Sequence, residues 1–500
     1  MNRVMHEAPS ETETRSVRER LAERVALGVT IAAVVACALV FLIRAAETFH
    51  HGRYTFTSGL EGAGILGVLK TCAGESLYGN LATDPNGYIF NFLFYLVYGS
   101  VTRLSGACDV DAILLARGLS GLTALAAAAL VLWYALRSKV STATALLLAS
   151  ASVSPFIGWW AFAIRPDIGG YFLALVAVFG LVVATERGSA TLAVGAILAS
   201  ALSYGFKQPN LVLVAATTVI LIVNARGARM RIAATATGAA VAGLIVAANT
   251  AWPDYYTQAF VVPASHQLRP SVGIANLTAF VAKALPYLVL LVLTAVLARR
   301  ASWGRLEISL AGAFLGFVAI FGVAASKVGA SDNYYFPALA VCIALIPLLS
   351  RRQPALAGHV ATMLSAAVLL ASSLLVALGG AGRTGLDPLD QDARRRLIHD
   401  METSEAPRLI IGEPWALPTH SGPADVRLLD DYMYFHGLSE QPGAIDIVDL
   451  VKKNRFGTIY TIDLKLVAGD EPVLHGYCPK GKIDILTVIA RGPCDIDVPR

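Results

Sequence analysis

Charge is what this chain has least of. Asp, Glu, Lys and Arg make up 15% of its 500 residues against 56% hydrophobic, and the mean hydropathy is +0.61. A soluble globular protein of that length could not cover its surface with so few charges, so the composition points to a polytopic membrane protein. Cysteine is also sparse: Cys37, Cys72, Cys108, Cys342, Cys478 and Cys494 include no C-x-x-C and no metal spacing, which excludes zinc ribbons and thioredoxin-like redox motifs. No internal repeat suggests the inverted halves of many transporters. The net charge of +5 resides largely in Arg clusters between hydrophobic runs. It reports membrane orientation, and no nucleic-acid partner is implied.

The hydrophobic runs are the dominant feature. A polar segment, 1–24, carries Arg15, Arg18, Arg20 and Arg24 just before a first span near 25–43, which predicts a cytoplasmic N-terminus and a retained helix. Ten more runs follow near 111–136, 141–162, 168–185, 190–206, 209–224, 232–251, 274–298, 306–325, 334–350 and 355–378. Each has about the ~20 residues a helix needs to cross the hydrocarbon core, giving about 11 transmembrane helices in a domain of 25–380.

One apolar stretch, 88–104, is ambiguous, and the loop charges decide it. If it does not cross, Arg137, Lys139, Arg187, Arg226, Arg229, Arg231, Arg299, Arg300, Arg305, Arg351 and Arg352 all fall on the cytoplasmic side, as the positive-inside tendency requires. It is therefore expected to lie along the outer interface. With a second short helix over 59–72 it would form part of a first extracytoplasmic loop, 46–110. Cys72 with Cys108, and Cys478 with Cys494, then face an oxidising compartment, where either pair could be a disulfide. After Gly379 the composition turns polar. Residues 381–500 read as a small extracytoplasmic α/β domain, with strands at 408–414, 456–463 and 482–491 and helices at 387–404 and 444–454. This domain has no G-x-G-x-x-G and no P-loop, so no nucleotide is assigned.

On this topology the outer ends of the spans hold Arg165 and Asp167 (AIRPDIGG), Lys207 and Gln208 (GFKQPN), Asp254, His266, Arg269, Lys327 (SKVGA), and Asp332, Asn333, Tyr334 and Tyr335 (SDNYYF). They would face the acidic landmarks of the first loop, Glu61 and Asp84, across a polar cavity. Charges at span ends cost far less than the roughly 2.5–3.5 kcal/mol of a charge at the bilayer centre. Plainer roles stand beside the functional ones. Glu61 fits a capping box with Ser58, and Asp84 before Pro85 fits an N-cap. Arg165 and Asp167 can simply pair, Lys207 and Lys327 can snorkel, and Asp332 to Tyr335 can be a cap followed by an aromatic belt. His50, His51 and His266 read as solvated loop residues rather than metal ligands, and the aromatics of 88–98 as interfacial packing.

The order of several short motifs resembles a known family. SGLEG and GESLYG in the first loop, the aromatic stretch DPNGYIFNFLFYLVYG, ARGLSGL, RPD, FKQPN and GASDNYYFP are similar, over roughly 25–350, to the GT-C superfamily of polyprenyl-phosphate-sugar-dependent glycosyltransferases, in particular the protein O-mannosyltransferase and aminoarabinose-transferase branch. The chain departs from the usual paired acidic motif, since Leu60 precedes Glu61, and from a double proline, since Asn86 follows Pro85. The resemblance implies a GT-C-like fold in the cytoplasmic membrane and transfer of a sugar from a polyprenyl-phosphate carrier to an extracytoplasmic acceptor. It implies Glu61, then Asp84, as catalytic carboxylates and Arg165, Lys207 and Lys327 as donor-phosphate ligands. Asp167, Gln208, Asp332, Asn333, Tyr334 and Tyr335 would contact substrate. Glycines 59, 62, 64 and 67 would let lipid or sugar approach the backbone. No cofactor is assigned, although a divalent metal is compatible with the chemistry. A transporter or flippase of a lipid-linked or anionic solute is the alternative reading, and an envelope assembly factor anchored by the spans is a third.

Overall fold

A computed structural model describes residues 17–51, 60–81, 88–108, 110–298 and 303–380; beyond these it describes 396, 399–400, 403–404, 407–411, 426–429, 441, 444–461, 477–483 and 486–492. The helices are α1 Val17–His51, α2 Leu60–Ala73, α3 Phe92–Leu104, α4 Val110–Arg137, α5 Thr142–Ala149, α6 Asp167–Arg187, α7 Ala190–Phe206, α8 Leu211–Val223, α9 Ala228–Ala251, α10 Pro253–Tyr256, α11 Val262–Ser265, α12 Pro270–Leu297, α13 Arg305–Ala324, α14 Phe336–Ser350 and α15 Ala355–Leu378. Eight helices are long and apolar enough to cross a membrane, and three shorter apolar ones, Thr142–Val153, Ala190–Phe206 and Gln208–Val223, coincide with the remaining expected spans. The chain is a polytopic membrane protein. With 13 residues, α3 is about 20 Å long, short of the ~30 Å hydrocarbon core.

The expected span 141–162 is not one helix. Its helix α5 tightens into a 3-10 turn at Ser150–Val153 and ends at Ser154, whose ψ of 167° is extended. The residue before a proline is pushed out of helical conformation, and Pro155 supplies no N–H to continue the ladder. Ser154 caps the break: its Oγ donates to the Ala151 carbonyl at 2.9 Å and accepts from the Phe156 N–H at 3.2 Å. A second turn, Gly158–Ala161, leads to Arg165, Pro166 and the start of α6. Irregular backbone is tolerated here because protein surrounds it: 161–170 is buried throughout.

Small residues let the helices approach. A Cβ on Gly169 would strike the Phe206 ring, and one on Gly180 would sit 3.3 Å from the Ala196 methyl, so α6 and α7 pack almost backbone to backbone. The first-loop glycines do the same. A Cβ on Gly64 would collide with the Ile164 carbonyl and one on Gly67 with the Tyr95 ring. These two glycines therefore meet protein and not the lipid or sugar anticipated for them. Apart from its terminal Ser350, α14 is buried on every side, as befits a central helix that is hydrophobic all round. At one end of the bundle Arg351 pairs with Glu186 at 2.5 Å and donates to the Ser138 carbonyl, while Arg352 pairs with Glu307 at 2.6 Å. The basic loops before α5, α7, α13 and α15 thus gather at that end.

The C-terminal residues form a five-stranded sheet in the order β2-β1-β3-β5-β4, from β1 Arg408–Ile411, β2 Val426–Leu429, β3 Thr458–Thr461, β4 Tyr477–Ile483 and β5 Leu486–Arg491. The first three are parallel and the last two antiparallel. The expected strand 482–491 is two: Ile483 ends one arm of a hairpin and Leu486 begins the other. Helix α16, Ile447–Lys452, starts where the Asp446 side chain accepts from the Asp449 N–H. Most of the expected helix 387–404 lies outside the described residues. Ile445 donates its N–H to the Leu81 carbonyl at 3.0 Å, joining this region to the first loop.

Cys72 and Cys108 form a disulfide spanning 36 residues around α3. Cys478 is also disulfide-bonded, and its expected partner Cys494 lies outside the described residues. In the chain-entropy account a loop of that length contributes about 3–4 kcal/mol. Replacing both Cys72 and Cys108 by Ser is expected to lower the thermal midpoint of the purified protein by several degrees, while Cys37→Ser leaves it nearly unchanged, read by a thermal-shift assay.

Candidate active site

Asp167 organises the polar end of the bundle. It opens α6, where the helix dipole favours a carboxylate, and it is 2% exposed. Lys207, at the end of α7, places Nζ 2.5 Å from Asp167 Oδ1 and donates to the Asn333 carbonyl at 3.3 Å. Arg165 approaches from the other side, Nε to Oδ2 at 3.2 Å. The alignment there is too poor for a hydrogen bond, so both atoms are buried without a hydrogen-bond partner. The Arg165 guanidinium instead stacks 4.7 Å from the Trp160 ring centre, and Lys207 lies 4.6 Å over Tyr334.

Arg165 and Lys207 face a cavity of about 400 Å³ that Gln208, Lys327, Tyr334 and Phe90 also line. Five expected site residues from four separate span ends thus come together beside the first loop. Lys327 is held by the Pro263 carbonyl at 3.1 Å. The segment carrying it is fixed by hydrogen bonds from Arg269 N–H to the Ser326 carbonyl and from Val328 N–H to the Gln267 carbonyl. With three cations and one carboxylate, the cavity carries surplus positive charge. Burial pulls the pKa of Lys327 below the ordinary lysine value, and burial likewise lowers that of Lys207, partly opposed by Asp167.

Glu61 stands apart from this cavity. It is fully buried on α2, its Oε1 2.6 Å from Arg117 Nη1 of α4 and accepting the Ile164 N–H at 3.0 Å. The same Arg117 nitrogen donates to the Phe162 carbonyl at 2.9 Å. One ion pair therefore ties α2, α4 and the irregular 162–164 backbone together. Asp84 lies outside the described residues. Asp332 also faces elsewhere, pairing with Lys283 at 2.6 Å. Asn333 is buried, with its side chain beside Asp167. Tyr335 stacks on Phe280 with centroids 4.6 Å apart.

Several contributors were not picked out from the sequence. Asn91 donates to the carbonyl of Tyr204, and Gln258 to that of Gly79 at 2.9 Å, alongside the expected Gln208, which donates to the carbonyls of Ile89 and Ala259. These amides staple the first loop to the later helices, and only a three-dimensional neighbour distinguishes them from other polar residues. Arg117 did leave a signal: a charge inside an apolar run requires a partner. Among the described residues no group of three or more His, Cys, Asp or Glu is placed to hold a metal. Glu61, Asp167 and Asp332 are each engaged by a cation, so no step is assigned to a metal.

Similarity to solved structures is extensive in shape and slight in sequence. ArnT from Cupriavidus metallidurans bound to undecaprenyl phosphate superposes with a TM-score of 0.54 at 13% identity, over 92% of this chain and 99% of that one. Its apo state gives 0.53 at 15% identity over 92% and 98%. AglB, the archaeal oligosaccharyltransferase from Archaeoglobus fulgidus in complex with an inhibitory peptide and a dolichol-phosphate, gives 0.51 at 13% identity, over 94% of this chain and 75% of that one. The chain has the GT-C fold that its motif order suggested. No protein-family model matches it. No curated protein matches its sequence either.

The Glu61–Arg117 pair makes a testable strut. Glu61→Gln keeps an acceptor for Ile164 but leaves a buried guanidinium uncompensated, which is expected to cost about 3–5 kcal/mol. A double-mutant cycle with Arg117→Met, followed by thermal unfolding, should show the double variant more stable than Glu61→Gln alone.

Proposed function

We propose that this protein is a membrane glycosyltransferase that moves a hexosyl or pentosyl group from a polyprenyl-phosphate donor to an extracytoplasmic acceptor, which is a glycan, lipid or protein. It would work in the cytoplasmic membrane with its N-terminus inside and residues 381–500 outside, where the sheet region helps shape the acceptor cleft. The observation that carries the reading is the convergence of Arg165, Lys207 and Lys327 on one cavity next to the first loop. The fold is shared with ArnT, solved with undecaprenyl phosphate, and AglB, solved with dolichol-phosphate.

The chemistry follows from the charge. The acceptor oxygen attacks the anomeric carbon, a new C–O bond forms, and the bond from that carbon to the phosphate oxygen breaks with its electron pair leaving on the phosphate. Fixed cations stabilise the charge developing there without reorganising. Arg165, whose Nε side faces Asp167, offers the planar guanidinium fork, and Lys207 and Lys327 act as point charges. Gln208 and Tyr334 line the same cavity and are assigned to substrate. Asp167 holds two of the cations in place, and Asn333 supports Lys207 through its carbonyl. Asp332 and Tyr335 adjoin this framework without lining the cavity. The acceptor proton goes to a carboxylate. Glu61 is committed to Arg117, so its part is to position the loop, and the base is assigned to Asp84.

Transfer from a labelled polyprenyl-phosphate sugar, assayed in membranes containing the protein, tests the reading. Asp84→Asn should abolish transfer with unchanged thermal stability. Transfer by no donor in a broad panel would turn the assignment to the transporter alternative.

Affinity for the donor should depend on pH in a stated direction. The protonated lysines bind phosphate, so affinity is present below their lowered pKa values and is lost as pH rises through them, earlier than for an ordinary lysine near 10.4. Lys327→Gln should raise the donor KM by about tenfold, the loss of one charge-assisted hydrogen bond. Lys327→Arg should restore affinity and move part of the loss to higher pH.

A further inference from the structure

A second polar cavity, of about 470 Å³, lies on the far side of the Trp159–Trp160 turn and is lined by Arg44, Trp159, Trp160, Lys283, Asp332 and Ser372 among others. None of the proposed transfer chemistry uses it. Arg44 on α1 is 8% exposed, its guanidinium lies 5.5 Å from the Trp159 ring centre, and its Nε is buried with no hydrogen-bond partner. Lys283 enters from the middle of α12 with its side chain 44% exposed, engaged at Nζ by Asp332. Two cations against one carboxylate leave a surplus positive charge. A buried guanidinium with an unused donor is costly to keep unless something anionic completes it.

The rim shows where that anion comes from. Leu375 and Val376 of α15 line the cavity, and Leu375 is 70% exposed. The opening is thus framed by apolar side chains on a membrane-spanning helix, as an acyl chain requires, while the interior offers Arg, Lys and two indole rings at headgroup level. We propose that this cavity is a lipid site that takes the phosphate headgroup of an anionic bilayer lipid, with Arg44 and Lys283 on the phosphate and the acyl chain running along Leu375. The site is separate from the donor cavity: Trp160 lies between them, lining this cavity and stacking on Arg165, which lines the other.

Native mass spectrometry of the delipidated full-length protein, titrated with phosphatidylglycerol, tests the proposal without reference to sugar transfer. Wild type should retain one tightly held phosphatidylglycerol and bind phosphatidylcholine, whose headgroup has no net charge, at least tenfold more weakly. Lys283→Gln and Arg44→Gln should each weaken phosphatidylglycerol binding by about tenfold or more. Should Arg44→Gln fail to fold, the partly exposed Lys283 decides alone. Unchanged binding in Lys283→Gln overturns the site. Binding lost in Lys327→Gln but kept in Lys283→Gln would put the lipid in the donor cavity and overturn the site as well. Displacement of the lipid by inorganic phosphate at equal concentration would make this a site for a soluble anion and overturn the lipid assignment.

Discussion

A carboxylate buried at the mouth of a membrane helix has to be neutralised where it stands, and Asp167 imposes that condition on the structure around it. Lys207 meets it from the end of α7 and Arg165 from two residues upstream. The first contact fixes how far α7 slides along α6, and the glycines and small residues between those helices allow the close approach it requires. The second fixes the irregular strand of chain before α6. Because Asp167 balances only one of the two cations, it keeps both in place while leaving net positive charge on the cavity side. A ligand that brings negative charge lowers the free energy of the whole cluster.

The other buried pair is built to the opposite end. Glu61 and Arg117 are equal and opposite, fully enclosed, and each also bonded to the backbone, Glu61 to the Ile164 N–H and Arg117 to the Phe162 carbonyl. A closed pair has no remaining charge to offer a substrate and a large penalty for opening. It acts on the same segment, however: the carbonyl and N–H it holds belong to the run that delivers Arg165. One ion pair therefore fixes the approach to this end of the bundle, and the trio next to it keeps a net positive charge.

Much of this was legible in the sequence because membrane insertion leaves so few options. Runs of about twenty apolar residues and the sidedness of arginines located the spans, and the polar residues at their outer ends predicted Arg165, Lys207, Gln208, Lys327 and Tyr334 as neighbours, which the cavity brings together. Composition could not tell that Thr142 begins a helix ended by Ser154 and Pro155, since hydropathy averages over a break that backbone geometry imposes. Nor could it separate the two carboxylates at this end of the bundle. Glu61 and Asp167 look alike as isolated acids near glycine, and only the partner that folding brings to each, from 56 and 40 residues away, distinguishes a strut from a scaffold for cations. The hairpin at Ile483 and Leu486 had only one signal in the sequence, Asp484 inside a run of β-forming residues, and a lone turn-favouring residue does not by itself mark where the chain reverses.

The broken span explains why two cavities exist instead of one. Helix α5 packs against α1, α4 and α15, and a continuous helix over 141–162 would carry its side chains at regular helical intervals. Ending it at Ser154 frees Trp159 and Trp160 from that periodicity. They turn towards opposite cations, Trp159 under Arg44 and Trp160 under Arg165. The Asp332–Tyr335 turn does the same from the other side, giving its carboxylate to Lys283, the next residue's carbonyl to Lys207, and the ring after that to the lining of the cavity that Arg165 and Lys207 face. Two short irregular segments, each next to a helix start, thus form a wall with a cationic pocket on either face. Irregular backbone costs hydrogen bonds that a helix would have made internally, and in a membrane that cost is tolerated only where protein or a water-filled cavity surrounds the segment. The wall is therefore where function, rather than packing, is expected to have shaped this part of the chain.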